Sequence, residues 1–236
     1  MKSNAELRAE ARGMLQGRWK ESVLMNLVPI IILFVVVAII IVPVALFIAQ
    51  NFESLREMSM NYVNPPDANG SAGNSSSSSF ISGLITVFFT TAMGWTFLDI
   101  LRGQKEVIRP FKDIFRTFRA PYALAVLVIY LLTAVFRFLW GLLFIIPGII
   151  KYYSYSQSYY IYYDTYKNTG ETPGYLDSIT ASRHLMNGFK AKLFFLDLSF
   201  IGWHILSLLT FGIGYLWLMP YIYATKSAFY QELPKE

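Results

Sequence analysis

The sequence predicts an all-α, polytopic membrane protein with six transmembrane helices arranged as three hairpins. Hydrophobic residues make up 55% of the chain and charged residues only 15%, whereas soluble domains carry about 25% charged residues. Apolar segments long enough to cross a bilayer recur along the chain. Most of the 20 Lys and Arg residues lie between these segments. We therefore expect a single integral membrane domain over residues 1–236.

Residues 1–22 have the features of a helix that lies on a membrane surface. Ser3 and Glu6 have the spacing of a capping box, which predicts a helix from about residue 4. Leu7 and Ala11 share one face, while basic side chains occupy much of the rest. We expect the apolar face to rest on the membrane.

The predicted spans divide the rest of the chain into three hairpins. They cover about residues 23–50, 80–101, 121–143, 146–166, 193–210 and 213–231. Residues 51–79 are rich in Pro, Gly, Ser and Asn, a composition that cannot bury a core. This segment is predicted to be a flexible loop outside the cell.

Each odd-numbered span follows a basic amphipathic segment, which we expect to be a helix on the cytoplasmic surface. Before the third span, Phe111, Ile114, Phe115 and Phe118 recur at helical spacing. The segment that contains Ile179 has a similar pattern before the fifth span. The basic side chains of these segments are candidate contacts for anionic lipid head groups. The candidates are Arg109, Lys112, Arg116, Arg119, Lys190 and Lys192.

The distribution of basic residues also predicts the orientation. Cytoplasmic loops carry an excess of Lys and Arg, and most basic residues fall on the side that holds both termini. We therefore expect a multi-pass plasma-membrane protein with both termini in the cytoplasm. The net charge of +5 is explained by this topology, so we expect no nucleic acid partner.

The three even-numbered spans overlay without gaps, which suggests an internal repeat. Phe97, Tyr162 and Tyr230 coincide in this overlay. At the cytoplasmic end, acidic residues coincide at Asp99, Asp164 and Glu232. Because loop cations crowd at that end, we expect ion pairs there. The alternative is that aromatic and acidic residues are common at any membrane interface.

Three stretches of the chain resemble a known bacterial family. They are SRHLMNGFKAKLFFLDLSFIGWHILSLLTFGIGYLWLMPYIYATKSAFYQEL near the C-terminus, IPGIIKYYSYSQSYYIYYD upstream of it, and ELRAEARGMLQGRWKESVLMNL at the start. The chain is similar to Domain of Unknown Function 975, a family of bacterial integral membrane proteins. The resemblance covers nearly the whole chain except the serine-rich loop. It implies a plasma-membrane location and brings no catalytic residues.

The tyrosine-rich stretch Pro147–Asp164 is the most distinctive segment of the chain. Its tyrosines are apolar enough for a membrane, but their hydroxyl groups need partners there. In one interpretation Tyr155 and Tyr159 line a polar path. In the other, the rings pack against neighbouring helices and their hydroxyls bond to nearby polar residues such as Gln157.

Three ionisable residues in the last two spans are candidates for a transport role. Asp197 and His204 are seven residues apart on one helix face, so they could form a proton relay with Lys226. A structural histidine bonded to a backbone carbonyl is the alternative for His204. The alternative for Asp197 is an ion pair with a nearby base, namely Arg183, Lys190 or Lys192.

Two further basic residues flank the short turn between the third and fourth spans. Arg137 and Lys151 are candidates to bind lipid head groups or an anionic solute there. The alternative is that both side chains extend to the outer membrane surface.

Recognisable enzyme signatures are absent from the sequence. The chain has no cysteine, no P-loop, no GxSxG and no HExxH, so we expect no enzymatic activity, metal or cofactor. We predict a non-enzymatic scaffold or partner subunit that contacts anionic lipid of the cytoplasmic leaflet, with another membrane protein or a second copy as possible partners. The alternative is a transporter of a small solute or lipid, with a polar path near the tyrosine-rich span.

Overall fold

The computed structural model describes residues 1–36, 38–39, 42–54, 56, 75–143 and 145–234. The described part of the chain is all-α and contains no strand. The helices are α1 (Asn4–Leu15), α2 (Trp19–Val36), α3 (Val42–Gln50), α4 (Ser75–Leu101), α5 (Pro110–Ile114), α6 (Tyr122–Leu143), α7 (Ile145–Ser154), α8 (Ser158–Thr169), α9 (Tyr175–Leu185), α10 (Lys190–Leu198), α11 (Ile201–Leu209) and α12 (Tyr215–Glu232). A 3-10 turn at Arg116–Phe118 follows α5. Most of the predicted extracellular loop lies outside the described residues.

The first helix begins as predicted but packs differently. The backbone N–H of Ser3 donates to the Glu6 carboxylate at 2.6 Å, and Ser3 Oγ accepts the N–H of Glu6 at 3.3 Å, which confirms the capping box. Leu7 and Leu15 are fully buried, because α1 packs on α12 and touches α4. The apolar face that we expected to rest on a membrane is therefore covered by the protein's own helices.

Helices α4, α8 and α12, which hold the even-numbered predicted spans, meet at the centre of the fold. Ser227 of α12 donates to the carbonyl of Gly94 on α4 at 2.9 Å, and the hydroxyl of Tyr160 on α8 lies 3.2 Å from Ser227 Oγ. Tyr160 also stacks on Tyr230 of α12, with ring centroids 4.8 Å apart. A glycine on α4 thus makes room for the aromatic ring that joins all three helices.

Three helical stretches of the described chain are long and apolar enough to cross a membrane, rather than six. They are Ser82–Leu101, Tyr122–Leu142 and Lys190–Leu209, corresponding to the second, third and fifth predicted spans. The first predicted span is divided between α2 and α3, with residues 37 and 40–41 outside the described chain. The sixth, α12, carries Lys226 and several polar side chains, which lower its apolar content.

The fourth predicted span is two helices instead of one. Helix α7 ends at Ser154 and α8 begins at Ser158. Ser182 of α9 bridges this break: its hydroxyl donates to the Ser154 carbonyl at 2.8 Å and accepts the backbone N–H of Gln157 at 3.1 Å. Because buried backbone groups need hydrogen-bond partners, this one side chain stabilises the interruption.

The aromatic segment before the third span also differs from the prediction. Helix α5 ends at Ile114 and the 3-10 turn follows, so the four apolar residues do not form one continuous helical face. Ile114 is fully buried, whereas Phe111 is 68% exposed. Phe118 turns back onto α4 and stacks on Phe88, with ring centroids 4.8 Å apart.

Burial divides the long helices into two parts. On α2 the core ends at Val28, and Ile31 and Phe34 are exposed. On α4 the core begins at Phe89, whereas Ile85 is exposed. We call the buried side, which includes α1, α8 and α9, the packed end. The other side, the apolar end, exposes large apolar side chains that include Phe34, Phe138, Leu142, Ile146, Leu208 and Phe211. An exposed apolar surface of this extent is typical of a membrane or protein interface.

Candidate functional site

An ionic junction joins the ends of α4 and α8 at the packed end. We define it as Asp99, Arg102, Arg116, Asp164 and Lys167. Asp99 pairs with Arg116 at 2.9 Å and with Lys167 at 2.6 Å. Asp164 binds Arg102 through two hydrogen bonds of 2.6 and 2.8 Å. The expected ion pairs at the recurring acidic positions are therefore confirmed.

Tyrosine hydroxyls complete this junction. Tyr163 donates to Asp99 at 2.7 Å, and Tyr230 of α12 donates to Asp164 at 2.8 Å. The third recurring acid, Glu232, pairs with Lys2 at 2.9 Å. These three acids, on α4, α8 and α12, thus connect those helices to each other or to the N-terminus.

The electrostatics of the junction keep its arginines charged. Burial alone would lower the pKa of Arg116, but Tyr163 and Asp99 offset this effect and raise its pKa above the usual value. The hydrogen bonds from Arg102 to Asp164 likewise raise the pKa of Arg102. Arg116 was a candidate lipid contact, and the structure places its side chain inside the junction instead.

The other candidate lipid contacts lie at the surface. Arg109, Lys112 and Arg119 are exposed around α5 and the 3-10 turn, and Lys190 and Lys192 are partly exposed on α10. The first three are close in sequence to the exposed ring of Phe111. This arrangement combines cations with an apolar side chain on one surface.

A cavity of about 310 Å³ lies beside the tyrosine-rich stretch, enclosed by residues of α4, α6, α7, α8, α10 and α12. We call it the tyrosine-lined cavity. Six tyrosines contribute to its walls, namely Tyr130, Tyr152, Tyr153, Tyr159, Tyr160 and Tyr223. Its charged lining residues are Arg137, Asp197 and Lys226. Polar groups and aromatic rings therefore share one cavity, which is typical of small-molecule sites.

Two of the three predicted relay residues meet at this cavity. Asp197 and Lys226 form an ion pair at 2.9 Å, and Tyr153 donates to Asp197 at 3.3 Å. The pairing of Asp197 with a base on α9 or α10 was therefore wrong. His204 lies on α11, where its Nδ1 is 3.4 Å from the hydroxyl of Tyr215, so it contacts neither of the other two.

The two candidate tyrosines lie on either side of the helix break. Tyr155 is buried in a small cluster with Ile129 and Ile179, and Tyr159 packs against this cluster. Tyr159 also lines the cavity, whereas Tyr155 is not among its lining residues. The serine hydroxyls near the break donate to backbone carbonyls: Ser154 to Ile150, Ser156 to Tyr153 and Ser158 to Tyr155.

Sequence reasoning named Arg137 as a candidate to bind an anionic solute but placed it at the turn between two spans, and it did not place Gln157 in this cavity. The guanidinium of Arg137 lies 4.6 Å from the ring centre of Tyr152, and its Nε is buried without a hydrogen-bond partner. Gln157 is 3% exposed, and its Oε1 is likewise buried without a partner. A charged residue inside an apolar span was the signal for Arg137. Gln157 gave no comparable signal.

The described residues hold no cluster of three or more His, Cys, Asp or Glu side chains that would fit a metal ion. The contacts observed at the site are ion pairs, hydrogen bonds and aromatic contacts. These interactions suit binding and positioning of a ligand or a partner.

Comparison with protein families identifies the chain. The family described as "Protein of unknown function (DUF975)" matches residues 1–152 and 142–236. The chain belongs to this family. The two matches together cover the whole DUF975 chain, including both the ionic junction and the tyrosine-lined cavity. Neither the curated proteins nor the solved structures contain a match to it.

Proposed function

We propose that this DUF975 protein is a non-enzymatic, multi-pass plasma-membrane protein whose packed end lies in the cytoplasm and contacts anionic lipid. It serves there as a scaffold or as the subunit of a membrane assembly. The observation that carries the proposal is the division of the helices into a packed end and an apolar end. Six crossings with both termini in the cytoplasm fit that division.

The surface around α5 supports contact with lipid. Phe111 projects an exposed ring, and Arg109, Lys112 and Arg119 are exposed beside it in the sequence. Basic residues near an anionic leaflet contribute about 1 kcal/mol each, and an apolar ring such as that of Phe111 can be buried at the boundary between head groups and acyl chains.

Cysteine labelling tests the orientation, because the chain has no cysteine of its own. Asn168→Cys places a thiol on the exposed end of α8, and Ile213→Cys places one in the exposed turn before α12. In intact cells a membrane-impermeant maleimide should label only the Ile213→Cys variant, and after permeabilisation it should label both variants. Labelling of the α8 thiol in intact cells would contradict a cytoplasmic packed end.

Lipid dependence tests the role of the basic surface. In nanodiscs, phosphatidylglycerol should raise the thermal midpoint of the protein relative to phosphatidylcholine. The triple variant Arg109→Gln/Lys112→Gln/Arg119→Gln should lose most of that difference. Arg183→Gln, an exposed change on α9, serves as a control and should keep it. An equal response of the triple variant and the wild type would argue against this contact.

A second candidate function is the transport or handling of a small solute or lipid, and the tyrosine-lined cavity favours it. Asp197 and Lys226 form an ion pair at the edge of this space, and ionisable residues in membrane proteins often mark transport paths. Proton flux into proteoliposomes, followed with a pH-sensitive dye, tests this candidate. Asp197→Asn should abolish such a flux, and an unchanged flux would reject the role of Asp197.

A further inference from the structure

The tyrosine-lined cavity contains one cation that no acidic side chain neutralises among the described residues. Asp197 is paired with Lys226 at 2.9 Å, so the two charges cancel. Arg137 instead faces the ring of Tyr152 at 4.6 Å. The lining charges therefore sum to about one positive charge, which favours an anion.

Two buried polar atoms in the same walls need opposite kinds of partner. Arg137 Nε is a hydrogen-bond donor and Gln157 Oε1 is an acceptor, and both are buried without a partner. Buried polar groups are nearly always hydrogen-bonded, and leaving one unpaired is unfavourable. A ligand that satisfies both atoms must accept from Arg137 and donate to Gln157.

The helix break fixes the direction in which Gln157 points. Its backbone N–H is held by Ser182 Oγ at 3.1 Å, and its side-chain Nε2 donates to Ser156 Oγ at 2.8 Å. With the amide nitrogen already bonded, the amide oxygen is the atom left to act as an acceptor. The interruption of the fourth span thus positions an acceptor in the cavity wall.

Arg137 supplies hydrogen-bond donors to the same cavity. The guanidinium carbon lies 4.6 Å from the ring centre of Tyr152, and the N–H groups of a guanidinium point outward in its own plane. An edge-on guanidinium matches the geometry of a carboxylate or phosphate and can bind it through two hydrogen bonds.

The size of the cavity limits the ligand. A volume of about 310 Å³ is at the lower end of the range for ligand pockets. It accommodates a compact solute or a lipid head group, while acyl chains would have to remain outside.

We infer that the tyrosine-lined cavity binds a compact oxyanion that also carries a hydrogen-bond donor, of the glycerol phosphate class. The oxyanion accepts from Arg137 and the hydroxyl group of the ligand donates to Gln157. This inference deepens the second candidate function, since it names the class of ligand, and it is independent of the lipid contacts around α5. The ligand is either a free solute or the head group of an anionic lipid.

Binding of soluble glycerol 3-phosphate to the purified protein in detergent tests the first source. Calorimetry should show saturable binding, whereas sulfate (an anion without a donor) and glycerol (a donor without an anion) should each bind at least tenfold more weakly. Arg137→Gln should weaken binding at least tenfold and Gln157→Leu at least threefold. Arg183→Gln, which lies outside the cavity, should bind as the wild type does.

Retention of phosphatidylglycerol tests the second source. The protein is extracted from nanodiscs that contain phosphatidylglycerol and phosphatidylcholine, and the bound lipid is counted by native mass spectrometry. Loss of one retained phosphatidylglycerol in Arg137→Gln, but not in Arg183→Gln, would assign the site to the head group. Arg137→Lys keeps the charge without the planar fork and should show an intermediate loss if Arg137→Gln does not fold.

The inference is overturned if Arg137→Gln binds glycerol 3-phosphate and retains phosphatidylglycerol as the wild type does. It is also overturned if the wild type binds neither molecule. Failure of this kind is distinct from failure of the proposed membrane placement. Cysteine labelling reports the placement independently, and the triple variant around α5 leaves Arg137 and Gln157 intact.

Discussion

Arg102, at the end of α4, binds Asp164 of α8 through two hydrogen bonds of 2.6 and 2.8 Å. The relationship is reciprocal, because Lys167 of α8 binds Asp99 of α4 at 2.6 Å. On each helix the cation follows the acid by three residues, and each cation pairs with the acid of the other helix. This exchange ties the ends of two predicted repeat units together.

Breaking the first of these pairs should destabilise the packed end. Removal of one member of a buried ion pair costs about 3–5 kcal/mol. The Arg102 and Asp164 side chains are 16% and 12% exposed, so we expect Arg102→Gln to cost about 3 kcal/mol. The midpoint of SDS-induced unfolding measures this loss.

A double-mutant cycle with Asp164→Asn provides the control for this prediction. The double variant should lose less than the sum of the two single variants, because each change alone leaves a buried charge without its partner. Additive losses would show that the two side chains do not act as a pair. Lys2→Gln, in a more exposed ion pair, should cost only about 0–1 kcal/mol.

The bridge across the helix break supplies a second prediction. Ser182→Ala removes the donor to the Ser154 carbonyl and the acceptor for the N–H of Gln157. Unpaired buried polar groups cost about 1–3 kcal/mol, so we expect a loss of that size in the SDS unfolding midpoint. The nearby serine of the same buried face, Ser178, bonds only to the carbonyl of Gly174.

Ser178→Ala is therefore the matched control, and it should leave stability nearly unchanged, since a hydroxyl that bonds back to its own turn contributes little. The role assigned to Ser182 would be refuted if the two alanine variants had equal stability. Ser182→Thr, which retains the hydroxyl, should lie between Ser182→Ala and the wild type.

Local features of this fold could be predicted from the sequence, and long-range ones could not. The capping box of Ser3 and Glu6 depends on residues three positions apart, so its pattern is visible directly. The break after Ser154 depends on Ser182, which is far along the chain, and nothing in the tyrosine-rich stretch itself forbids a continuous helix. Sequence periodicity therefore predicted one helix where two exist.

The same contrast applies to the candidate site. Asp197 and Lys226 were identified because charges are rare in apolar spans, and the structure brings them together. Arg116 looked like a lipid contact because it lies among surface cations. Its actual partners, Asp99 and Tyr163, belong to other helices, and a loop composition carries no information about them.

The contact between the N-terminus and the C-terminal helix should respond to acid. The hydrogen bond from Lys2 lowers the pKa of Glu232 below its ordinary value of 4.5. A carboxylate whose pKa is lower in the folded state than in the unfolded state stabilises the fold at pH values above the unfolded-state pKa. This stabilisation is lost as the pH falls through the folded-state pKa. We expect the thermal midpoint of the wild type to exceed that of Glu232→Gln near neutral pH.

This difference should close as the pH falls through the lowered pKa of Glu232, because the carboxylate then becomes protonated. It should be small throughout, because the side chains of Lys2 and Glu232 are 40% and 24% exposed, so that solvent screens the ion pair. Thermal melts of the two proteins from pH 3 to pH 8 measure it. A difference that persists unchanged at pH 3 would mean that the charge of Glu232 does not hold the N-terminus.

The last prediction concerns the glycine at the centre of the fold. A Cβ at Gly94 would overlap the hydroxyl of Tyr160 and lie 3.0 Å from its Cζ. Because Tyr160 is confined by its stack on Tyr230 and its contact with Ser227, it cannot move aside freely. Overpacking of this kind costs about 1–3 kcal/mol, so Gly94→Ala should lower the SDS unfolding midpoint accordingly.

Gly141→Ala is the matched control, since a Cβ at this helical position meets no atom within 4 Å. Alanine is favoured over glycine inside a helix by about 0.5–1 kcal/mol, so this variant should be as stable as the wild type or slightly more so. Adding Tyr160→Phe to Gly94→Ala removes the overlapping hydroxyl and should recover part of the loss. If the double variant is no more stable than Gly94→Ala alone, the hydroxyl of Tyr160 is not what requires a glycine on α4.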